Sequence, residues 1–214
     1  MTTPAVYRKA QRHLAQVDED WALLIKRVGP CGLNPQEQRE PYEALVRAVA
    51  SQQIHGKAAA AILARFLALY GTRATFPSPK KILATPFDDL RGCGFSARKV
   101  ESIQGIAHAA LDGVVPSRAE AEGLADDELI ARLVSLRGIG RWTVEMLLMF
   151  SLGRLDILPV DDFGVREGYR RLKGLAEQPK PKALATAGLP WHPYRSIAAW
   201  YLWRVNELAE YKPA

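Results

Sequence analysis

The sequence has little of what several protein classes require. Only two cysteines, Cys31 and Cys93, occur in 214 residues. Two cannot build a disulfide framework or a four-cysteine iron–sulfur site, and their spacing fits no zinc motif, so both read as small buried hydrophobes. No apolar run approaches the roughly 20 residues that a membrane-spanning helix needs. The opening stretch, MTTPAVYRKAQRHLAQ, has neither an apolar centre nor a small-residue cleavage site and does not read as a signal peptide. A cytoplasmic or nucleoid-associated location is the resulting expectation. Alternation of β-branched and polar residues long enough for a sheet is missing as well, and no fixed period marks a solenoid.

What is present is helical periodicity and positive charge. The hydrophobic fraction of 48% and charged fraction of 24% suit a globular chain, long enough for one domain or two small lobes. A net charge of +6 favours a polyanionic partner, although charge alone identifies none. Leu45, Val46, Val49 and Ile54 recur near helical spacing behind Pro41, a first-turn proline. Ile62, Leu63, Phe66, Leu67 and Leu69 continue a second helix as far as Gly71. Short helices are expected over SPKKILAT and PFDDLRG, and a longer one behind Ser96 as N-cap. Further helices are ADDELIARLVSL, RWTVEMLLMFSLG, DDFGVREGYRRL and YRSIAAWYLWRVNELAEY, with AEQPKPKALATAG read as a surface connection. The fold class is all-α.

The segment Leu136-Arg137-Gly138-Ile139-Gly140-Arg141-Trp142-Thr143 is the most informative. One helix ends near Leu136, two glycines flank a single apolar residue, and another helix starts at once. Glycines allow a sharp turn with unhindered N–H groups, and Ile139 pins the turn to the core. The new helix then presents its unpaired N–H groups and positive dipole end to an anion, as a duplex phosphate would require. A bare Gly-x-Gly is more economically a structural turn. Arg141-Trp142-Thr143, together with the downstream Pro159-Val160-Asp161-Asp162, reverses that balance.

Asp161 and Asp162 follow an extended Leu-Pro-Val and precede FGVREGYRRL. A carboxylate at a helix start is kept ionised by the dipole and by backbone N–H donors, which suits an electrostatic stabiliser. Aspartate is equally a preferred N-cap, and spacing alone does not separate the two roles.

Leu-Arg-Gly-Ile-Gly-Arg-Trp-Thr followed by Leu158-Pro159-Val160-Asp161-Asp162 resembles the helix-hairpin-helix DNA glycosylases, with their Gly/Pro-rich loop and essential aspartate. Within them it is similar to the 3-methyladenine DNA glycosylase II family, in a compact form without the N-terminal β-rich domain of larger members. Ser51-Gln52-Gln53-Ile54-His55 resembles the family's wedge loop, Gly92-Cys93-Gly94-Phe95-Ser96-Ala97-Arg98-Lys99 its second turn, and Pro190-Trp191-His192-Pro193-Tyr194-Arg195-Ser196 its C-terminal pocket segment. The likeness spans roughly residues 37–205.

The resemblance implies a monofunctional glycosylase of base excision repair. Such an enzyme flips alkylated purines such as 3-methyladenine or 7-methylguanine from double-stranded DNA and hydrolyses the N-glycosidic bond to leave an abasic site. The family's essential aspartate precedes an apolar residue by three positions. Asp162 with Val165 fits and Asp161 with Gly164 does not, so catalysis falls to Asp162 and a supporting or capping role to Asp161. Relatives that also nick the backbone carry lysine where Trp142 stands, so no Schiff base forms here. By the same likeness Gln53 plugs the vacated stack and His55 contacts the minor groove, while Gly138, Ile139, Gly140, Arg141 and Thr143 hold phosphate. Without the likeness, Gln53 and His55 read as solvated loop residues and Ile54 as core.

Trp142, Trp191 and Tyr194 match positions lining the base pocket, where an aromatic face favours a cationic purine. Met146 stands where relatives often have a further aromatic, which opens the pocket. Trp21, Trp200 and Trp203 read as core. Arg98, Lys99, Arg137 and Arg141 flank the two turns, as phosphate contacts or as a solvated face.

No redox cofactor or catalytic metal is implied; a hairpin of this kind accommodates a structural monovalent cation. The expected architecture is a monomer of two helical lobes, 37–155 bearing the hairpin and 1–36 with 156–214 forming the other, with DNA in the cleft between them and Asp162 opposite Trp142. Two rival readings are a non-catalytic hairpin protein that binds DNA and a helical interaction module. Neither explains the paired aspartates.

Overall fold

The computed structural model describes residues 4–71 and 75–208. Among these the chain forms thirteen α-helices, one 3-10 turn at Leu189–Trp191 and no strand, which bears out the all-α expectation. In chain order the helices are α1 (Pro4–Ala15), α2 (Glu19–Val28), α3 (Pro41–Ser51), α4 (Gly56–Ala68), α5 (Pro79–Ala84), α6 (Phe87–Gly92) and α7 (Ala97–Leu111). They continue as α8 (Arg118–Gly123), α9 (Asp126–Leu133), α10 (Arg141–Phe150), α11 (Phe163–Leu172), α12 (Pro181–Ala187) and α13 (Arg195–Val205). Two compact units result, Gln38–Leu147 and Met1–Glu37 with Leu148–Ala214, and the division falls inside α10. No helix among the described residues is long and apolar enough to cross a membrane.

The Gln38–Leu147 unit is organised by α7, which packs on α3 and α5. Val100, Ile103, Ile106 and Ala107 repeat at three- and four-residue intervals and are buried, as are Leu45, Val46 and Val49 of α3. Each of these Val, Leu and Ile side chains contributes about 1.5–3 kcal/mol by leaving water. Phe66 anchors the rest, with ring centroids 5.4 Å from Tyr70, 5.9 Å from Phe76 and 5.7 Å from Phe95. Ser96 caps α7 by accepting the Lys99 N–H, and Pro41 opens α3 at a position whose missing N–H costs nothing.

In the other unit α11 packs on α13 at very short range. A Cβ placed on Gly168 would lie 2.0 Å from the Leu202 carbonyl oxygen, so only glycine admits this approach. Trp21 is fully buried and meets the edge of Trp191 at 5.1 Å, with Tyr169 5.6 Å from Trp191 on another side. The Tyr201 hydroxyl donates to the Gly29 carbonyl at 2.8 Å and ties α13 to the end of α2.

Several local expectations change. The stretch read as a surface connection contains α12, which starts with a first-turn proline and buries Leu184. α8 carries no apolar stripe and is set by a capping box between Ser117 and Glu120. Ile54, read as core, is 37% exposed in the turn between α3 and α4. Cys93 is buried as expected, whereas Cys31 is only partly so. The final helix, read through to Tyr211, ends at Val205, and residues 209–211 lie outside the described residues.

Candidate functional site

Asp162 ends the extended Leu-Pro-Val run and caps α11. Its Oδ1 accepts the Val165 N–H at 2.7 Å and the Trp203 indole N–H at 2.9 Å. The three-residue offset to Val165 is therefore the capping geometry itself. Asp161, assigned the supporting or capping role by sequence, lies exposed in the preceding turn, and the cap belongs to its neighbour. Trp203 departs from the core reading too: it is half-buried, stacks on Phe150 at 5.9 Å and spends its one donor on Asp162. Nothing in its spacing announced this role. Phe163, the next residue after the cap, is 69% exposed.

The hairpin folds as its glycines require. Gly138 adopts φ +84°, and a Cβ there would lie 2.6 Å from the Ser102 hydroxyl. Ile139 is buried, with its N–H on the Leu136 carbonyl at 3.1 Å. The Gly140 carbonyl accepts from Thr143 and Val144 at 3.0 and 3.3 Å, which starts α10 with a residue that has no side chain of its own. Space around a Gly140 Cβ is open. Thr143 is buried and Trp142 is 45% exposed. Arg141 leaves most of its side chain in solvent while its Nε donates to Glu145 at 2.9 Å, and the Glu145 carboxylate is almost fully enclosed.

In the α3–α4 turn, Gln52 has φ −56° and ψ 136° and Gln53 has φ +56°, the pattern of a type II turn. Glycine normally fills that second central position. Gln53 is the only non-glycine residue with positive φ among the described residues, and its side chain is exposed. His55 is exposed at the start of α4 and makes no capping bond. The Gln52 amide donates to the Gly138 carbonyl at 3.1 Å, so this turn and the hairpin are joined directly.

The remaining aromatics and cations divide. Met146 is half-buried on α10. Trp191 is 1% exposed beneath Trp21 and Tyr169, and Tyr194 is buried with its ring edge-on to His13 at 5.4 Å. The His13 Nε2 lies 2.8 Å from the Pro190 carbonyl oxygen. Arg137 pairs with Glu101 at 3.0 Å and Arg98 is exposed. Lys99 is half-buried, and its ammonium donates to the Ala50 and Gln52 carbonyls at 2.9 and 2.8 Å. Asp156 is held below its ordinary pKa: burial acts against ionisation and is outweighed by hydrogen bonds from Arg195 and His192.

No group of three or more His, Cys, Asp or Glu able to hold a metal ion occurs among the described residues. A monovalent cation at the hairpin would draw on backbone carbonyls instead. Those of Leu136 and Gly138 each accept one hydrogen bond and keep a second lone pair, whereas that of Gly140 already accepts two.

Comparison with known proteins gives a consistent picture. The family described as HhH-GPD superfamily base excision DNA repair protein matches residues 46–193. DNA-3-methyladenine glycosylase 1 of Schizosaccharomyces pombe is 48% identical over 204 residues, 95% of this chain and 89% of that protein. The structure of the S. pombe 3-methyladenine DNA glycosylase in complex with abasic DNA aligns at a TM-score of 0.87, covering 95% of this chain and 99% of that one. A DNA-3-methyladenine glycosidase from Bacillus halodurans, 33% identical, aligns at 0.82 over 91% of this chain and 88% of its own.

Proposed function

Because the chain belongs to the HhH-GPD superfamily of base excision DNA repair proteins, we propose that it is a monofunctional DNA glycosylase acting on alkylated purines. It binds double-stranded DNA, turns out a base such as 3-methyladenine or 7-methylguanine, and hydrolyses the N-glycosidic bond to leave an abasic site. The observation that carries this reading is the carboxylate of Asp162, fixed on one oxygen by the Val165 N–H and the Trp203 indole.

Bond cleavage leaves the electron pair with the departing base and positive charge on the sugar. Asp162 stabilises that charge and orients or deprotonates the water that attacks the anomeric carbon. Its two hydrogen bonds fix the group in advance, so no reorganisation is needed as charge develops. Asp161 supports it. Trp142, 45% exposed, offers an aromatic face to the base, with Met146 one turn further along α10, and such a face favours a cationic purine by about 0.5–2 kcal/mol. Gln53 fills the gap in the stack, His55 contacts the minor groove, and Gly138, Gly140 and Arg141 take the phosphate, whereas Ile139 and Thr143 are buried with their N–H groups already on the Leu136 and Gly140 carbonyls and serve to hold the turn. Trp142 offers no amine for a Schiff base, so the sugar–phosphate backbone is left intact. The protein works as a monomer, cytoplasmic and nucleoid-associated.

Incubation with methylated duplex DNA tests this directly. Free methylated purines and intact abasic sites are expected; DNA binding without base release returns the chain to a non-catalytic binder. Borohydride capture of a covalent protein–DNA adduct in high yield would overturn the monofunctional assignment.

A further inference from the structure

Gln53 occupies the second central position of a type II turn at φ +56°, a conformation that costs a non-glycine residue and lasts only where its surroundings impose it. Two side chains impose it here. Lys99, in the first turn of α7, sends its ammonium to the carbonyls of Ala50 and Gln52 at 2.9 and 2.8 Å, at the end of α3 where carbonyls lack helical partners and the dipole is negative. Gln52 in turn grips the hairpin through its amide on the Gly138 carbonyl. Gln53 thus follows a residue held by both its backbone and its side chain, while its own side chain stays exposed. Burial lowers the Lys99 pKa, as expected for an ammonium turned inward.

We infer that Lys99 is a positioning residue for base flipping, which braces the α3–α4 turn so that Gln53 is driven into the stack rather than pushed back by it. This rests on the reading of Gln53 as the plug. A turn that relaxed on contact would dissipate the push needed to separate stacked bases. One stapled to α7 and to the hairpin transmits it, because the hairpin grips the backbone while the turn presses on the stack.

The test uses the whole protein and a duplex carrying 7-methylguanine beside 2-aminopurine, whose fluorescence rises when its neighbour leaves the stack. The same lesion in a one-nucleotide bulge needs little flipping. Lys99→Met should lower single-turnover excision from the paired duplex about tenfold and shrink the fluorescence rise in step, yet stay within about twofold of wild type on the bulge. Lys99→Arg, which keeps charge and donors, should restore most of the loss. Lys99→Met with Gln53→Ala should be no worse than the more impaired single variant, since both act through one device.

Equal losses on paired and bulged lesions would overturn the inference, because a general folding defect or a role in chemistry would then explain them. Multiplying losses in the double variant would overturn it too, as would a weakened, salt-sensitive affinity with flipping intact. If Gln53→Ala impairs flipping and Lys99→Met does not, the positioning role alone falls. If Gln53→Ala leaves the fluorescence rise unchanged, the plug reading falls and the inference with it.

Discussion

Two ten-residue helices, α10 and α11, begin in opposite ways. At α11 the chain closes its own helix: Asp162 accepts an N–H of the first turn and fills the positive end with a carboxylate. At α10 the residue in the equivalent place is Gly140, which has no side chain to offer, and no acidic residue lies in the first turn. The same backbone electrostatics therefore serve two ends. An uncapped start remains available to an outside anion, whereas a capped start orders the carboxylate that caps it. Folding alone would favour a cap at both, so the glycine at the start of α10 is the more informative of the two.

The largest test of this contrast is Asp162→Asn. The amide oxygen still accepts from Val165 and Trp203, so the melting temperature should change little, while single-turnover excision should fall by about 10³-fold because the charge is lost. Asp162→Ala should add a destabilisation of about 1 kcal/mol from the missing cap. Should Asp162→Asn stay within a few-fold of wild type, the carboxylate is a cap and nothing more.

Next in size is Gly168→Ala, which asks whether the scaffold of α11 is as tight as described. With a methyl 2.0 Å from the Leu202 carbonyl oxygen, α11 must move off α13. A loss of about 3 kcal/mol is expected in denaturant unfolding. A variant as stable as wild type would show that this contact yields freely.

Gly140→Asp converts α10 into the likeness of α11. The added side chain meets open space, so the helix should gain about 0.5–1 kcal/mol from the new cap. Affinity for undamaged duplex should drop roughly tenfold, with a shallower dependence on salt. Unchanged affinity would remove α10 from the DNA-binding surface.

The smallest effect is expected at Gln53→Gly. Relief of the positive φ should stabilise the protein by about 1 kcal/mol or less, offset to some extent by the freedom glycine gains when unfolded. Excision from paired duplex should nevertheless decline, so stability and activity move in opposite directions. A gain in both would mean that the side chain does no work at this position.

The contrast also shows how far sequence could carry the reading. Helix starts with Ser96, Ser78 and Pro41 were legible because a cap or a first-turn proline is a local signal, and the hairpin because two glycines and an apolar residue leave few other conformations. α12 escaped because a stretch rich in proline and lysine resembles a loop until one leucine is seen to be buried. Asp162 was singled out by its offset to Val165, yet the same offset produces the cap, so both readings of the pair converge on one residue. Trp203 and Lys99 were assigned by residue type, as core and as a candidate phosphate contact. Their partners are 41 and 47 to 49 residues away in sequence, and no periodicity reaches that far. Aromatic content likewise gave no means of telling the enclosed Trp191 from the half-exposed Trp142.

The double use of Asp162 Oδ1 has a genetic consequence. One base change turns an aspartate codon into one for asparagine, glutamate, alanine, glycine, valine, histidine or tyrosine. Only asparagine keeps an oxygen at the same reach for both Val165 and Trp203. The other six disturb the start of α11, so these alleles should reduce the amount of protein in the cell as well as its activity. The asparagine allele alone should yield a well-folded protein that grips a lesion without removing it. Such a protein would shield damage from every other repair route, which makes the mildest substitution for the fold the most harmful one for the genome.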